Sequence, residues 1–82
     1  MTDNQFAQFV LLCLRQVGDR EMPDAALKSA VRVMSQENLT NTNLDERLRR
    51  LEEQNLIMGV DNVVLGRFWG LTTHGRQIAN QL

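Results

Sequence analysis

Apolar positions recur with a helical period over the first two-thirds of the chain and break into short strand-like runs beyond Asn55. Phe6, Phe9, Val10, Cys13, Leu14 and Val17 stand three and four residues apart, or sums of these, which predicts one amphipathic helix over Thr2 to Val17. Thr2 with Gln5 three positions later matches a capping box, in which each side chain satisfies a free backbone N–H of the first turn. Gly18 sits where a left-handed residue ends a helix, and Asp19-Arg20-Glu21 makes the turn. Leu11 and Leu12 fall outside the stripe, so the middle of this helix is apolar almost all round.

A second helix is expected to begin near Pro23, whose missing N–H suits a first helical turn. Leu27, Ala30, Val31 and Met34 would form its buried face, with Lys28, Ser29 and Arg32 pointing elsewhere. Ser35 to Asn38 is a polar turn, after which Leu39 plugs back into the core. Thr40 and Thr42 are both suitable N-caps for a third helix, whose inner seam is Leu44, Leu48 and Leu51. Asn55, a residue that tolerates left-handed backbone, follows its end.

The period then changes. Leu56-Ile57-Met58-Gly59-Val60 and Val63-Val64-Leu65 are short apolar runs separated by Asp61-Asn62, a turn signal. Gly66-Arg67 offers a second bend before Phe68-Trp69-Gly70-Leu71, so an antiparallel hairpin is expected with its turn left open between these sites. Thr72 or Thr73 can cap a short last helix that turns Ile78, Ala79 and Leu82 inward. Three helices, a hairpin and a final helix give an α+β fold, mainly α, over residues 1–82 as one domain.

Composition narrows the classes. Among 82 residues, 43% are apolar and 23% charged, values of a globular fold and not of a disordered chain. No apolar run reaches the roughly 20 residues of a membrane span, and the first residues lack the pattern of a secretory signal. One cysteine, Cys13, excludes an internal disulfide and a cysteine-based zinc site; on the apolar face of its helix it reads as a buried, inert thiol. His74 has no partner at metal-ligand spacing and reads as a surface residue. No Gly-rich phosphate loop or catalytic constellation is present, so neither cofactor, metal nor enzyme is expected.

The layout resembles a winged helix-turn-helix domain: three helices, a β-hairpin wing and a short C-terminal helix. "LDERLRRLEEQNLI" (Leu44 to Ile57) resembles the recognition helix running into the first wing strand. "LTTHGRQIA" (Leu71 to Ala79) resembles the Leu-Thr-x-x-Gly stretch by which such domains leave the wing. More narrowly, the chain is similar to small winged-helix proteins of Mu-like prophages, with Asn55 in place of a glycine and His74 in place of a basic or polar residue. The resemblance implies a cytoplasmic, non-enzymatic regulator of phage or bacterial type that binds double-stranded DNA.

In that arrangement the third helix (about 41–54) enters the major groove and the wing (about 57–71) meets the adjacent backbone. Thr42, Glu46, Arg49, Arg50 and Glu53 project away from the leucine seam, with Asn43 and Arg47 on its flank. Asn43 would read adenine, and Arg47, Arg49 and Arg50 would read guanine or hold phosphates. Thr40, Asn41 and Thr42 would hold phosphates by hydroxyls and backbone N–H groups, Lys28 and Arg32 would touch phosphates, and Arg67 would reach from the wing to an adjacent backbone or minor groove. Against this stands the charge count. Nine Lys+Arg face ten Asp+Glu, and four acids share Asp45–Glu53 with three arginines. Glu46 with Arg49 or Arg50, and Arg49 with Glu53, stand at ion-pairing spacing along a helix, the pattern of a solvated ion-pair surface. The alternative is therefore a protein-interaction module on the same scaffold, or a domain that meets DNA only within a larger complex.

Two further expectations concern packing. Trp69 is expected to pack the hairpin onto the helices, with Phe68 on the opposite face of its strand. Leu11 or Leu12, if uncovered, would be buried in a two-fold homodimer through the first helix; otherwise the last helix covers it.

Overall fold

The reciprocal cap at Thr2 is formed in the computed structural model, which describes every residue from Met1 to Leu82. Thr2 Oγ1 accepts from the Gln5 N–H at 3.1 Å, and Gln5 Oε1 accepts from the Thr2 N–H at 3.0 Å. Helix α1 (Asp3–Gln16) follows and ends at Gly18, whose φ of 68° relieves the last turn. Its buried residues are Phe6, Val10, Leu11, Cys13 and Leu14.

Of the two alternatives for the first helix, the structure takes cover by the last helix. Leu11 is only 2% exposed and belongs to the same core as Ala79 near the chain's end; Leu12 is half-buried. Arg15 Nη1 donates to the Ala79 carbonyl at 2.7 Å, fastening the last helix across α1. The apolar girth of α1 is thus largely absorbed within one copy, and the condition for a dimer through this helix, an uncovered Leu11, is not met.

A strand unforeseen in the sequence comes next. Strand β1 (Met22–Pro23) pairs antiparallel with Trp69 and Phe68. Two residues are too few for an alternation signal, and proline confines such a strand to a sheet edge. Pro23 is accordingly the N-cap of helix α2 (Asp24–Ser35) and not its first residue. Leu27 and Val31 are buried as expected, but Met34 is 41% exposed.

Helix α3 (Asn41–Glu53) is capped by Thr40, whose Oγ1 accepts from the Asn43 N–H at 3.1 Å. Leu44, Leu48 and Leu51 are buried along one seam. At the far end Asn55 adopts φ 61°, the Asn55 N–H bonds Glu52 and the Leu56 N–H bonds Leu51, the paired closure of a Schellman motif.

Strands β2 (Ile57–Asn62) and β3 (Gly66–Leu71) form the hairpin, completing an antiparallel sheet in the order β1-β3-β2. The turn lies at Val63-Val64-Leu65, the run read from its apolarity as strand, while Asp61 and Asn62 end β2. Local polar chemistry decides this: Asn62 Oδ1 accepts from the N–H groups of Val64 and Leu65 at 2.9 and 2.8 Å, and Gly66 takes φ 88°. Thr72 caps helix α4 (Thr73–Ala79), which buries Ala79, half-buries Ile78 and leaves Leu82 47% exposed instead of inward. The result is a small, mainly helical α+β domain of four helices and one three-stranded sheet. No helix is long and apolar enough to cross a membrane.

Candidate nucleic-acid interface

The leucine seam of α3 fixes what the helix shows to solvent. At about 100° per residue, burying Leu44, Leu48 and Leu51 turns Thr42, Glu46, Arg49 and Glu53 outward, and all four are exposed. Asn43 and Arg47, on the flank toward α1, are half-buried. The ion pairs expected along this helix do not form. Arg47 and Arg50 instead face Asp3 of α1, at 3.7 and 3.9 Å, too long for hydrogen bonds. Arg49, Glu46 and Glu53 have no ion-pair partner within 4.0 Å.

Arg47 is anchored by packing. Its guanidinium lies 5.5 Å from the centre of the Phe6 ring, and its Nη1, like Asn43 Oδ1, is buried without a hydrogen-bond partner. A cleft of about 100 Å³ opens beside it, between the first turn of α1 and α3, bordered by Asp3, Phe6, Ala7, Arg47, Arg50 and Leu51.

At the start of α3 the polar groups are largely committed. Thr40 Oγ1 serves the cap. Asn41 Oδ1 accepts from Arg32 Nη2 at 2.5 Å, while Arg32 Nε donates to the Leu39 carbonyl at 2.9 Å. Arg32, read as pointing away from the core and toward phosphate, is half-buried and latches the α2–α3 turn. Thr42 is exposed and makes no side-chain hydrogen bond within the chain.

Lys28 departs furthest from its expected place. It is 8% exposed, and its Nζ lies 2.8 Å from Asp24 and 2.5 Å from Asp45. Asp24 in turn accepts from Trp69 Nε1 at 2.8 Å, so one lysine joins α2, α3 and, through Asp24, β3. Burial alone pulls the Lys28 ammonium down, but hydrogen bonds and charge from both aspartates hold it above the ordinary lysine value. Burial likewise pushes Asp24 up, and the hydrogen bonds from Lys28 and Trp69, with the charges of Lys28 and Arg67, bring it below the usual carboxylate range. The Asp24–Lys28 spacing of four was visible in the sequence; the third partner, Asp45, and the indole were not.

Arg67 is exposed on the hairpin but also engaged. Its Nε donates to Asp61 directly across the ladder at 2.9 Å, and its guanidinium lies 5.1 Å from the Trp69 ring. That hydrogen bond lowers the Asp61 carboxyl and raises the guanidinium further. Trp69 is 2% exposed, the packing role expected of it, with Phe68 half-buried on the other face.

The ten candidate residues therefore divide. Thr42, Arg49 and Arg50 lie together and exposed on α3, with Asn43 and Arg47 beside them in the flank. Thr40, Asn41, Lys28 and Arg32 hold the α2–α3 corner, and Arg67 is balanced by Asp61. Cys13 is buried, which raises its thiol, and its Sγ contacts Met34 Sδ at 3.3 Å; His74 is exposed. No group of three or more His, Cys, Asp or Glu side chains is placed to hold a metal ion. Comparison with protein-family models, with curated proteins and with solved structures gives no match for this chain.

Proposed function

We propose that the chain is a winged helix-turn-helix domain that binds duplex DNA through the outward face of α3, without catalysis and without a cofactor. The observation that carries this reading is the juxtaposition of α3 with the hairpin. The order helix, short strand, two helices, hairpin, helix, with the short strand on β3, is the arrangement a wing requires. Within it α3 has Thr42, Arg49 and Arg50 exposed and unbonded or only loosely paired. Arg49 and Arg50 supply base or phosphate contacts, Thr42 a phosphate contact near the helix start, and Arg47 a contact at the flank. The resemblance of the sequence to phage and bacterial winged-helix proteins supports a role in transcription regulation in the cytoplasm.

The contact set is smaller than the sequence suggested, because Lys28, Arg32 and Arg67 are held by internal partners. Two or three neutralised phosphates give a log–log salt slope of about −2 to −3, shallow for a DNA-binding protein. A titration of random and genomic duplexes at several salt concentrations tests this. No salt-sensitive binding even at low ionic strength overturns the reading.

A second reading has its own support. Glu46 and Glu53 share the outward face with Arg49, and no continuous cationic stripe joins α3 to Lys28 and Arg67. Such a mixed face suits a protein partner carrying both signs of charge. A wild type that binds no duplex, with protein capture lost in Arg49→Ala, would favour it.

A further inference from the structure

The hairpin has two unlike faces. Toward the helices it turns Ile57, Trp69 and Leu71, all buried, with the Asp61–Arg67 pair beyond them. Away from the helices, alternation and register set Met58 beside Gly70, and Pro23, Phe68 and Val60 in one row across all three strands. Met58 and Val60 are 44% and 39% exposed, and Phe68 is half-buried. The row runs into the tip, where Val63, Val64 and Leu65 are 104%, 87% and 70% exposed. A soluble monomer has reason to avoid three consecutive exposed aliphatic residues at a hairpin tip, where polar turn residues are usual.

We propose that this outer face, with its tip, is the contact by which two copies of the chain form a homodimer. The proposal goes beyond DNA binding and holds whatever α3 recognises. Charge selects the occupant. The row and tip carry no ionisable side chain, and Glu21, whose Cγ lies against Gly70 at their border, is acidic. Arg67 points to the opposite face and is neutralised by Asp61. Duplex DNA and anionic membranes both demand cations here, and there are none to offer. A second copy demands none, and two neutral faces meet without like-charge repulsion.

Size and shape agree. Row and tip together expose apolar surface on the order of 500–600 Å², approaching the roughly 800 Å² per partner of a standard interface. Under a two-fold axis the projecting tip of each copy lies on the flat Val60–Phe68–Pro23 row of the other, the reciprocal contact of an isologous dimer. The tip is also prepared for burial. The N–H groups of Val64 and Leu65 already bond Asn62 Oδ1, so covering them strands neither donor. Edge-to-edge pairing is disfavoured, because Glu52 Oε2 takes the Gly59 N–H on the free side of β2 at 3.0 Å. Face packing is left.

Sedimentation equilibrium of the full chain, from low micromolar to about 300 μM, tests the proposal against Val64→Asp and Val60→Lys. The wild type is expected to dimerise with a micromolar Kd. Each substitution, at an exposed site, is expected to weaken the dimer at least tenfold with an unchanged circular dichroism spectrum. A wild type that stays monomeric throughout overturns the proposal, as does a dimer indifferent to both substitutions. Loss of duplex or vesicle binding in Val64→Asp without any change in self-association overturns it too, assigning the face to nucleic acid or lipid.

Discussion

Gly75 has no room for a side chain: a Cβ added there would fall 1.8 Å from the Leu56 carbonyl oxygen. Leu56 follows the left-handed Asn55, and its carbonyl also accepts the Thr72 N–H at 3.3 Å, while Thr72 Oγ1 donates to the Asn55 carbonyl at 2.5 Å. The start of α4 is therefore pressed onto the end of α3 backbone to backbone. Gly75→Ala is expected to cost about 3 kcal/mol or more, because backbone cannot yield as a flexible side chain would. Urea unfolding followed through Trp69, the only tryptophan, measures it. A loss under 1 kcal/mol, about the ordinary scatter of substitutions, would refute the close contact.

The same corner explains what could be read from the sequence. Thr2 with Gln5, the Leu44-Leu48-Leu51 seam and the left-handed Asn55 are local: each depends on neighbours a few residues away. The Leu-Thr-x-x-Gly stretch was legible as a motif, though its reason, the Leu56 carbonyl, is a tertiary contact. What stayed hidden was non-local. Met22–Pro23 becomes a strand only because β3, more than forty residues on, offers an edge. Lys28 is buried because Asp45 of another helix completes its pairing, and helix periodicity alone turned it outward. Leu11 looked surplus until α4 covered that side of α1. Of the candidate interface, the outward face of α3 followed from its seam, while the commitment of Lys28, Arg32 and Arg67 did not.

The Lys28 joint gives stability a defined pH range. Asp24 is held below its ordinary value, so its contribution is present above the unfolded carboxylate pKa of about 3.9 and lost as pH falls through the folded one. Lys28 is held above its ordinary value, so its contribution is present below about 10.4 and lost as pH rises through the folded one. Urea midpoints should thus form a plateau between these limits. Asp24→Asn should lower the plateau and flatten its acid limb. An acid limb unchanged by that substitution would place the titrating group elsewhere.

Removing the lysine tests the joint directly. Lys28→Ala leaves Asp24 and Asp45 facing each other without their shared cation and is expected to cost about 1–2 kcal/mol, tempered by the exposure of Asp45. Lys28→Met, which keeps the aliphatic stem, should recover part of the loss. Equal destabilisation in both would assign the effect to charge alone.

Arg32 and Arg49 separate scaffold from contact. Arg32 closes the α2–α3 turn through the Leu39 carbonyl and Asn41 Oδ1, and Arg32→Ala should destabilise by about 1–2 kcal/mol. Arg32→Lys should not restore it, because an ammonium lacks the planar fork that spans both acceptors. Arg49→Ala, at an exposed side chain without an ion-pair partner, should leave stability within about 0.5 kcal/mol. On the DNA reading the order of effects inverts in binding. Arg49→Ala and Arg50→Ala should each weaken duplex affinity about tenfold and reduce the salt slope by about one unit per phosphate lost. Arg32→Ala, measured well below its unfolding midpoint, should leave the slope alone. If Arg32→Ala shallows the slope as much as Arg49→Ala does, Arg32 leaves its latch to reach phosphate, and the division drawn between corner and interface is wrong.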